Sequence, residues 1–379
     1  MDSHAQAPPR KNQLVRIQSL RALAAFAVVL CHVEVWQKAY FGSLPHFPPW
    51  MIVGESGVDL FFVISGFIIM HVTLQPLNSW RHQAVFLLRR LARIYPAYWA
   101  VIIPMILALV YLPGALNTPN ESHAGFFTTF FLLPDSGAPI LIVAWTLVYE
   151  IYFYLVVSIL FRWTGSLRLY LLIGWFVIIA VVTLLHPTSF ANPYVRVGLS
   201  PLCMEFISGA ILAYALRLGF IPIKPWIAGM VVAAVLILGF LIGAHHGSYK
   251  YDFTGRVFSY GIPAFFVLWM VVQMELQDSW RWIKLLAPMG DRSYSLYLVH
   301  VPIITIVFKL AARIFHHPTA LVPFAAALIS LGAIVVPIEI YYRWVEKPSH
   351  TAARRLSERI DPTLFSRRAG AGKDLAALP

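Results

Sequence analysis

Apolar residues in this chain gather into long runs, and most polar positions fall between the runs. Ten runs reach the roughly 20 residues that a helix needs to cross a bilayer. They lie near 19–38, 53–73, 93–112, 140–161, 168–186, 197–216, 225–244, 255–274, 294–312 and 320–342. None shows the alternation of a membrane β-strand, and only helices or closed barrels satisfy their backbone in hydrocarbon. The pattern therefore predicts an all-α, polytopic helical membrane protein of about ten transmembrane helices. The run at 126–133 (FFTTFFLL) is too short to span and reads as a re-entrant or interfacial piece.

Composition sharpens this picture. Hydrophobic residues make up 59% of the 379 and charged residues 12%, about half the charge of a soluble domain. A soluble surface and a disordered chain are both excluded. With the N-terminus in the cytoplasm, 23 of the 29 Lys and Arg fall inside. Five fall outside (Lys38, Arg196, Lys250, Arg256 and Arg313), and Lys309 lies within a span. That asymmetry predicts two cytoplasmic termini and an even number of spans. The net charge of +12 then suits a face against anionic lipid and calls for no nucleic acid. Residues 1–15 show no cleavable signal pattern. The expected organisation is a tail at 1–18, a membrane unit at 19–348 and a basic cytoplasmic tail at 349–379. Cys31 and Cys203 both fall inside spans, so neither a disulfide framework nor a metal site is expected. No internal repeat is visible, and the Asn120-Glu121-Ser122 sequon carries no weight.

Ionisable groups deep in a span cost roughly 2.5–3.5 kcal/mol each on insertion scales. His32, Asp59, Glu150, Glu205, His300 and Glu339 all sit in such places, which points to an internal polar cavity. Arg21 and His32 are eleven residues apart, close to three turns, on nearly one face and about 16 Å apart along the axis. Either His32 bonds a neighbouring helix while Arg21 snorkels, or both line one polar path. Cys31 projects about 100° from His32, so a thiol–imidazole dyad is not expected. Gly57 and Gly66 suit close helix approach, and Asp59 puts a carboxylate near the outer end of its span. Arg90 and Arg93 are one turn apart, either a fork suited to phosphate or a topogenic signal. Thr146, Glu150 and Tyr154 form one stripe, and a buried carboxylate there needs a proton, a cation or an imidazole.

In order, the segments Ile17-Gln-Ser-Leu-Arg-Ala-Leu-Ala24 with His32, Gly57-Val-Asp-Leu-Phe-Phe-Val-Ile-Ser-Gly-Phe67, Arg90-Leu-Ala-Arg93-Ile-Tyr-Pro96, Trp145-Thr-Leu-Val-Tyr-Glu150, Ser293-Tyr-Ser-Leu-Tyr-Leu-Val-His300 and Glu346-Lys-Pro348 resemble the acyltransferase-3 family of integral membrane acyltransferases. The resemblance is to the branch that acylates bacterial exopolysaccharides, and it covers nearly the whole chain. It implies an O-acyltransferase of the bacterial inner membrane that moves an acyl group, usually acetyl from acetyl-CoA as co-substrate, to a carbohydrate or lipid-linked sugar. It also implies a catalytic role for His32, donor-side acyl-CoA-binding roles for Arg21, Arg90 and Arg93, and motif positions at Asp59 and Glu150. The fourth-span motif more often carries Ser where this chain has Val148 or Tyr149.

The expected mechanism threads acyl-CoA into a tunnel that runs from Arg90 and Arg93 to His32. Neutral imidazole suits a general base near pH 7, with Glu150 or Asp59 orienting the ring; an acyl-histidine relay stays open. Two rivals are a transporter or flippase of a glycolipid or polysaccharide precursor, and an acyltransferase that uses His300 as base. Transporters tend to show repeats and broken helices, and the sequence shows neither.

Overall fold

The computed structural model describes residues 14–42, 44, 47–73, 79–111, 125–163, 165–185, 190–219, 223–246 and 253–360. Among them there is no β-strand, and ten helical segments are long and apolar enough to cross a membrane. In chain order the helices are α1 (Val15–Phe41), α2 (Gly57–Val72), α3 (Trp80–Tyr111), α4 (Phe126–Phe131), α5 (Trp145–Leu160), α6 (Gly165–Leu185), α7 (Pro193–Gly198) and α8 (Leu202–Arg217). They continue with α9 (Pro225–His246), α10 (Phe253–Arg256), α11 (Ile262–Leu276), α12 (Ala287–Asp291), α13 (Ser293–Ile314), α14 (Leu321–Tyr341) and α15 (Lys347–Ile360). Arg10, Lys11, the sequon at Asn120, Lys250, Arg367, Arg368 and Lys373 lie outside the described residues.

Each expected span coincides with helix, and the short run at 126–133 folds as the small helix α4. Three spans depart from the expected unbroken form. The sixth is interrupted between α7 and α8, where Pro201 has no N–H to give and the Ser200 hydroxyl accepts from the Leu202 N–H at 3.3 Å. The eighth passes through a π turn at Val257–Gly261 between α10 and α11. The tenth continues through a second π turn, Tyr342–Glu346, into α15 without a break at residue 348. α3 is also longer than expected. Its 32 residues extend about 48 Å by helical rise, well beyond a hydrocarbon core of about 30 Å.

α1 lies at the centre, packed by α2, α11, α12 and α13. α8 packs along α2, and α5 joins them through a stack of Phe62, Phe206 and Phe153 with ring centroids 4.4 and 4.6 Å apart. The approach of α2 to α8 depends on two glycines. A Cβ on Gly66 would lie 1.8 Å from the Phe206 carbonyl oxygen, and one on Gly209 would lie 1.9 Å from that of Val63. α6, α9 and α14 form the outer layer and turn Val181, Leu184, Phe240 and Val335 outward, where lipid tails are an equivalent solvent.

The two ends of the bundle differ in charge. At the end where α1 begins, here the basic end, Arg217 donates to the His71 carbonyl at 2.9 Å and Arg168 to that of Thr73 at 3.0 Å. Both satisfy carbonyls left over where α2 stops. At the same end Arg16, 1% exposed, reaches Asp278 at 2.8 Å and the Ser279 carbonyl at 2.7 Å. Hydrogen bonds from Lys284 and Arg16 hold the Asp278 carboxyl below the usual carboxylate range.

Candidate active site

Inside the bundle, α1, α2, α3, α5 and α13 enclose a cleft of about 710 Å³, open solvent at its edge included. Arg21, Arg90 and Arg93 line its basic half, Glu150 and Ser65 its middle, and Thr146 and Tyr297 its inner end. Of the stripe foreseen on α5, Thr146 and Glu150 thus face the cavity, because positions four apart on a helix share a face, and Tyr154 bonds Glu150.

Glu150 is braced rather than free: the Tyr154 hydroxyl donates to it, as does Ser65 at 3.3 Å. The Arg90 guanidinium lies over the rings of Phe86 and Tyr154, at 5.7 and 5.8 Å. Arg93 is flanked by Tyr154, Glu150, Glu346 and Tyr294 as electrostatic neighbours. Arg21 donates to the Gln18 side chain at 2.8 Å and shares the field of Glu346 and Glu150. Glu346, 2% exposed, is itself held by Ser295 at 2.5 Å. Three guanidiniums therefore gather near Glu150 and Glu346, with Asp291 a further, exposed carboxylate in the field of Arg21.

His32 lies past the inner end of this cleft and is not among its lining residues. The tunnel expected to reach His32 instead stops at Tyr297, whose ring lies 6.1 Å from that of His300. His300 then meets His32, with ring centroids 4.9 Å apart at 72° and Nε2 of His300 3.3 Å from Nδ1 of His32. Each Nδ1 also faces a carbonyl one turn back, Val28 for His32 at 2.8 Å and Leu296 for His300 at 2.9 Å. A carbonyl only accepts, so both rings carry their proton on Nδ1 when these bonds form. The Nδ1–H of His32 is then shared between Val28 and His300, and Nε2 of His32 keeps its lone pair. His300 is fully buried, whereas His32 retains some accessible surface.

Two expectations change here. Among the described residues neither Glu150 nor Asp59 is bonded to His32; the imidazole of His300 is the side chain at hydrogen-bond distance from it. The sequence set His300 apart as a rival base near the basic end of its span, because spacing gives depth along one helix and not the offset between two. Asp59, with no exposed surface, is instead paired with Arg256 through two bonds, at 3.0 and 2.7 Å. Arg256 also reaches the Glu55 carboxylate at 3.3 Å and the Glu55 carbonyl at 3.0 Å. It is therefore not the outer-loop charge that the topology count assumed but a buried counter-ion, 5% exposed. The missed signal was the buried Asp59 itself, which required a cation nearby. Glu339, expected inside a span, pairs with Arg292 at 2.5 Å and with Arg343 near the basic end.

A protein-family model described as an acyltransferase domain, acyltransferase-3, matches residues 14–342. The chain is 30% identical over 267 residues to the exopolysaccharide production protein ExoZ of Rhizobium meliloti, covering 68% of this chain and 78% of that protein. It is 26% identical over 367 residues to the peptidoglycan O-acetyltransferase OatA of Listeria monocytogenes, and 24% identical over 368 residues to the O-acetyltransferase OatA of Staphylococcus aureus. Those alignments cover 88% of this chain but 55% and 56% of the two relatives, so the chain spans little more than half their length. No solved structure matches it. The transporter reading loses its ground, and the broken sixth and eighth spans belong to an enzyme fold. The chain belongs to the acyltransferase-3 family and is a membrane O-acyltransferase.

Proposed function

We propose that the protein takes an acetyl group from acetyl-CoA and passes it to a hydroxyl of an extracytoplasmic or lipid-linked carbohydrate during exopolysaccharide modification. In this reading it lies in the bacterial inner membrane with its basic end in the cytoplasm. The observation that carries the proposal is the order of groups through the bundle: three arginines, Glu150 and Tyr297 along the cleft, with His300 and His32 packed beyond its inner end. Acetyl-CoA is anionic and cytoplasmic, and a bilayer excludes it. Arg21, Arg90 and Arg93 supply charge-assisted bonds for its phosphates, while the thinner pantetheine arm follows the cleft inward. The names of the relatives, one an exopolysaccharide production protein and two O-acetyltransferases, support the acetyl group and the carbohydrate acceptor.

In the reaction, Nε2 of His32 takes the proton of the acceptor hydroxyl as its oxygen attacks the thioester carbonyl. The C–S bond breaks, and the departing thiolate recovers that proton from His32. The charge on His32 in between is eased by His300, whose Nε2 accepts from Nδ1–H. Glu150, held by Tyr154 and Ser65, balances part of the arginine charge, and Asp59 fixes Arg256 at the other end of the bundle.

The decisive comparison uses purified protein with acetyl-CoA and a carbohydrate acceptor. Turnover by His32→Ala should fall about 10²-fold or more with little change in thermal melting, since a polar site refills with water. A stable His32→Gln variant with full activity would end the general-base role. Arg93→Ala should act differently, raising the KM for acetyl-CoA while His32 chemistry persists.

A further inference from the structure

The step from the cleft to the histidine pair passes through one side chain. Tyr297 stands on α13, three residues before His300. Its ring meets that of Phe61, which lines the cleft, edge to face at 5.9 Å. The same ring lies 6.1 Å from that of His300, which does not line the cleft. A latch holds it there. The Tyr297 hydroxyl lies 2.8 Å from the Thr146 hydroxyl and donates to the Val143 carbonyl at 3.1 Å, and Thr146 donates to the same carbonyl at 3.0 Å. Val143 belongs to the short helical turn Ile142–Ala144 that leads into α5, so the latch ties α13 to the start of α5.

A ring that only filled space would need no hydroxyl. Bonds of this kind contribute little net free energy, so the latch favours one place for the ring and can still open. The chemistry assigned to His32 gives a reason for such a barrier. A general base takes a proton from water as well as from a sugar hydroxyl. With water, the oxygen joins the carbonyl carbon, the C–S bond breaks, and the thiolate takes back the proton from His32. Acetic acid and coenzyme A then leave, and the donor is consumed without transfer. Preventing that side reaction is one task of moving parts in active sites.

We propose that Tyr297 is a gate that governs transfer against hydrolysis: latched to Thr146 and Val143, its ring shuts the donor cleft off from His32, and the thioester meets the imidazole only when the ring swings aside. The proposal rests on the reading of acetyl-CoA as donor and His32 as base, and it accounts for a cleft that stops short of that base. The barrier is a single side chain, and its release requires the breaking of side-chain hydrogen bonds rather than the movement of a helix.

The test follows release of coenzyme A thiol from acetyl-CoA by the purified full chain with no acceptor present. Tyr297→Phe keeps the ring and loses the latch; Thr146→Val weakens the latch from the other side, which preserves the test if one variant folds poorly. Each should raise acceptor-free release by about two- to tenfold, the shift that a lost hydrogen bond gives. Adding His32→Ala to Tyr297→Phe should remove the increase, because the opened path leads to that imidazole. Release at the wild-type rate from both folded variants would mean that Tyr297 is a fixed wall, and an increase that survives the loss of His32 would mean that the path leads elsewhere; either result overturns the proposal. Wild-type protein that releases no coenzyme A even with a carbohydrate acceptor present would overturn the donor reading itself, and this proposal with it, before any variant is compared.

Discussion

His32 and His300 show how one residue can set the work of another. An isolated imidazole inside a membrane protein leaves polar atoms to be satisfied at a cost; two side by side satisfy part of each other. In the proposed mechanism His300 touches no reacting atom and acts as a positioning residue for His32. His300→Ala should lower kcat by about ten- to a hundredfold, the range seen when a histidine's orienting partner is lost, with little change in the KM for acetyl-CoA. The kcat–pH profile should shift as well, because protonated His32 loses the acceptor that eases its charge, and His300→Gln should restore part of the rate. A full-rate alanine variant with the wild-type pH profile would remove the role. Arg21, Arg90, Arg93 and Glu150, costly groups that spacing placed on shared faces, meet in one cleft, whereas His32, expected on the face of Arg21, lies beyond it. The partnership with His300 was not legible from the chain, since it joins residues 268 positions apart. Arg256 was missed for the same reason: at the very start of its span, it looks like a loop charge until Asp59 is seen beside it.

Among the elements, the α2–α8 contact is the most demanding. Gly66 of one helix meets the backbone of Phe206 in the other, and Gly209 meets that of Val63. The sequence marked Gly66 for close approach but could not name the partner helix. Neighbouring carbonyls cannot rotate away as side chains can, so an added methyl must push the helices apart. Gly209→Ala should therefore destabilise the protein by about 1–3 kcal/mol, the usual cost of overpacking, read as a lower melting temperature in detergent. Gly174→Ala in α6, where nothing lies within 4 Å, is the matched control and should leave melting unchanged or raise it. Equal melting of the two variants would mean that α2 and α8 have room to separate. The chain also concealed its helix breaks. Apolar content sets where a span lies, but the turn at Ser200-Pro201 and the π turn before Ile262 depend on local hydrogen bonding.

For the whole molecule, the ten candidate spans among the described residues and the crowding of Arg and Lys at the basic end support the proposed orientation, with that end in the cytoplasm. Fluorescent reporters on either terminus should be cytoplasmic, and a periplasm-dependent reporter placed between α13 and α14 should be active. A reversed pattern would undo the donor-side assignment. The central position of α1 has a further consequence, which concerns time. Arg16 waits for Glu275 and Asp278, and His32 waits for His300. At roughly 5–20 residues per second of translation, those partners leave the ribosome on the order of 15 to 60 seconds after α1 does. Through that interval α1, the least apolar of the described spans, is the one least suited to lie alone in the membrane. A nascent chain of this kind has to keep α1 near the insertion machinery until α13 arrives, and ribosomes that stall before codon 293 would release a product whose central helix has nothing to surround.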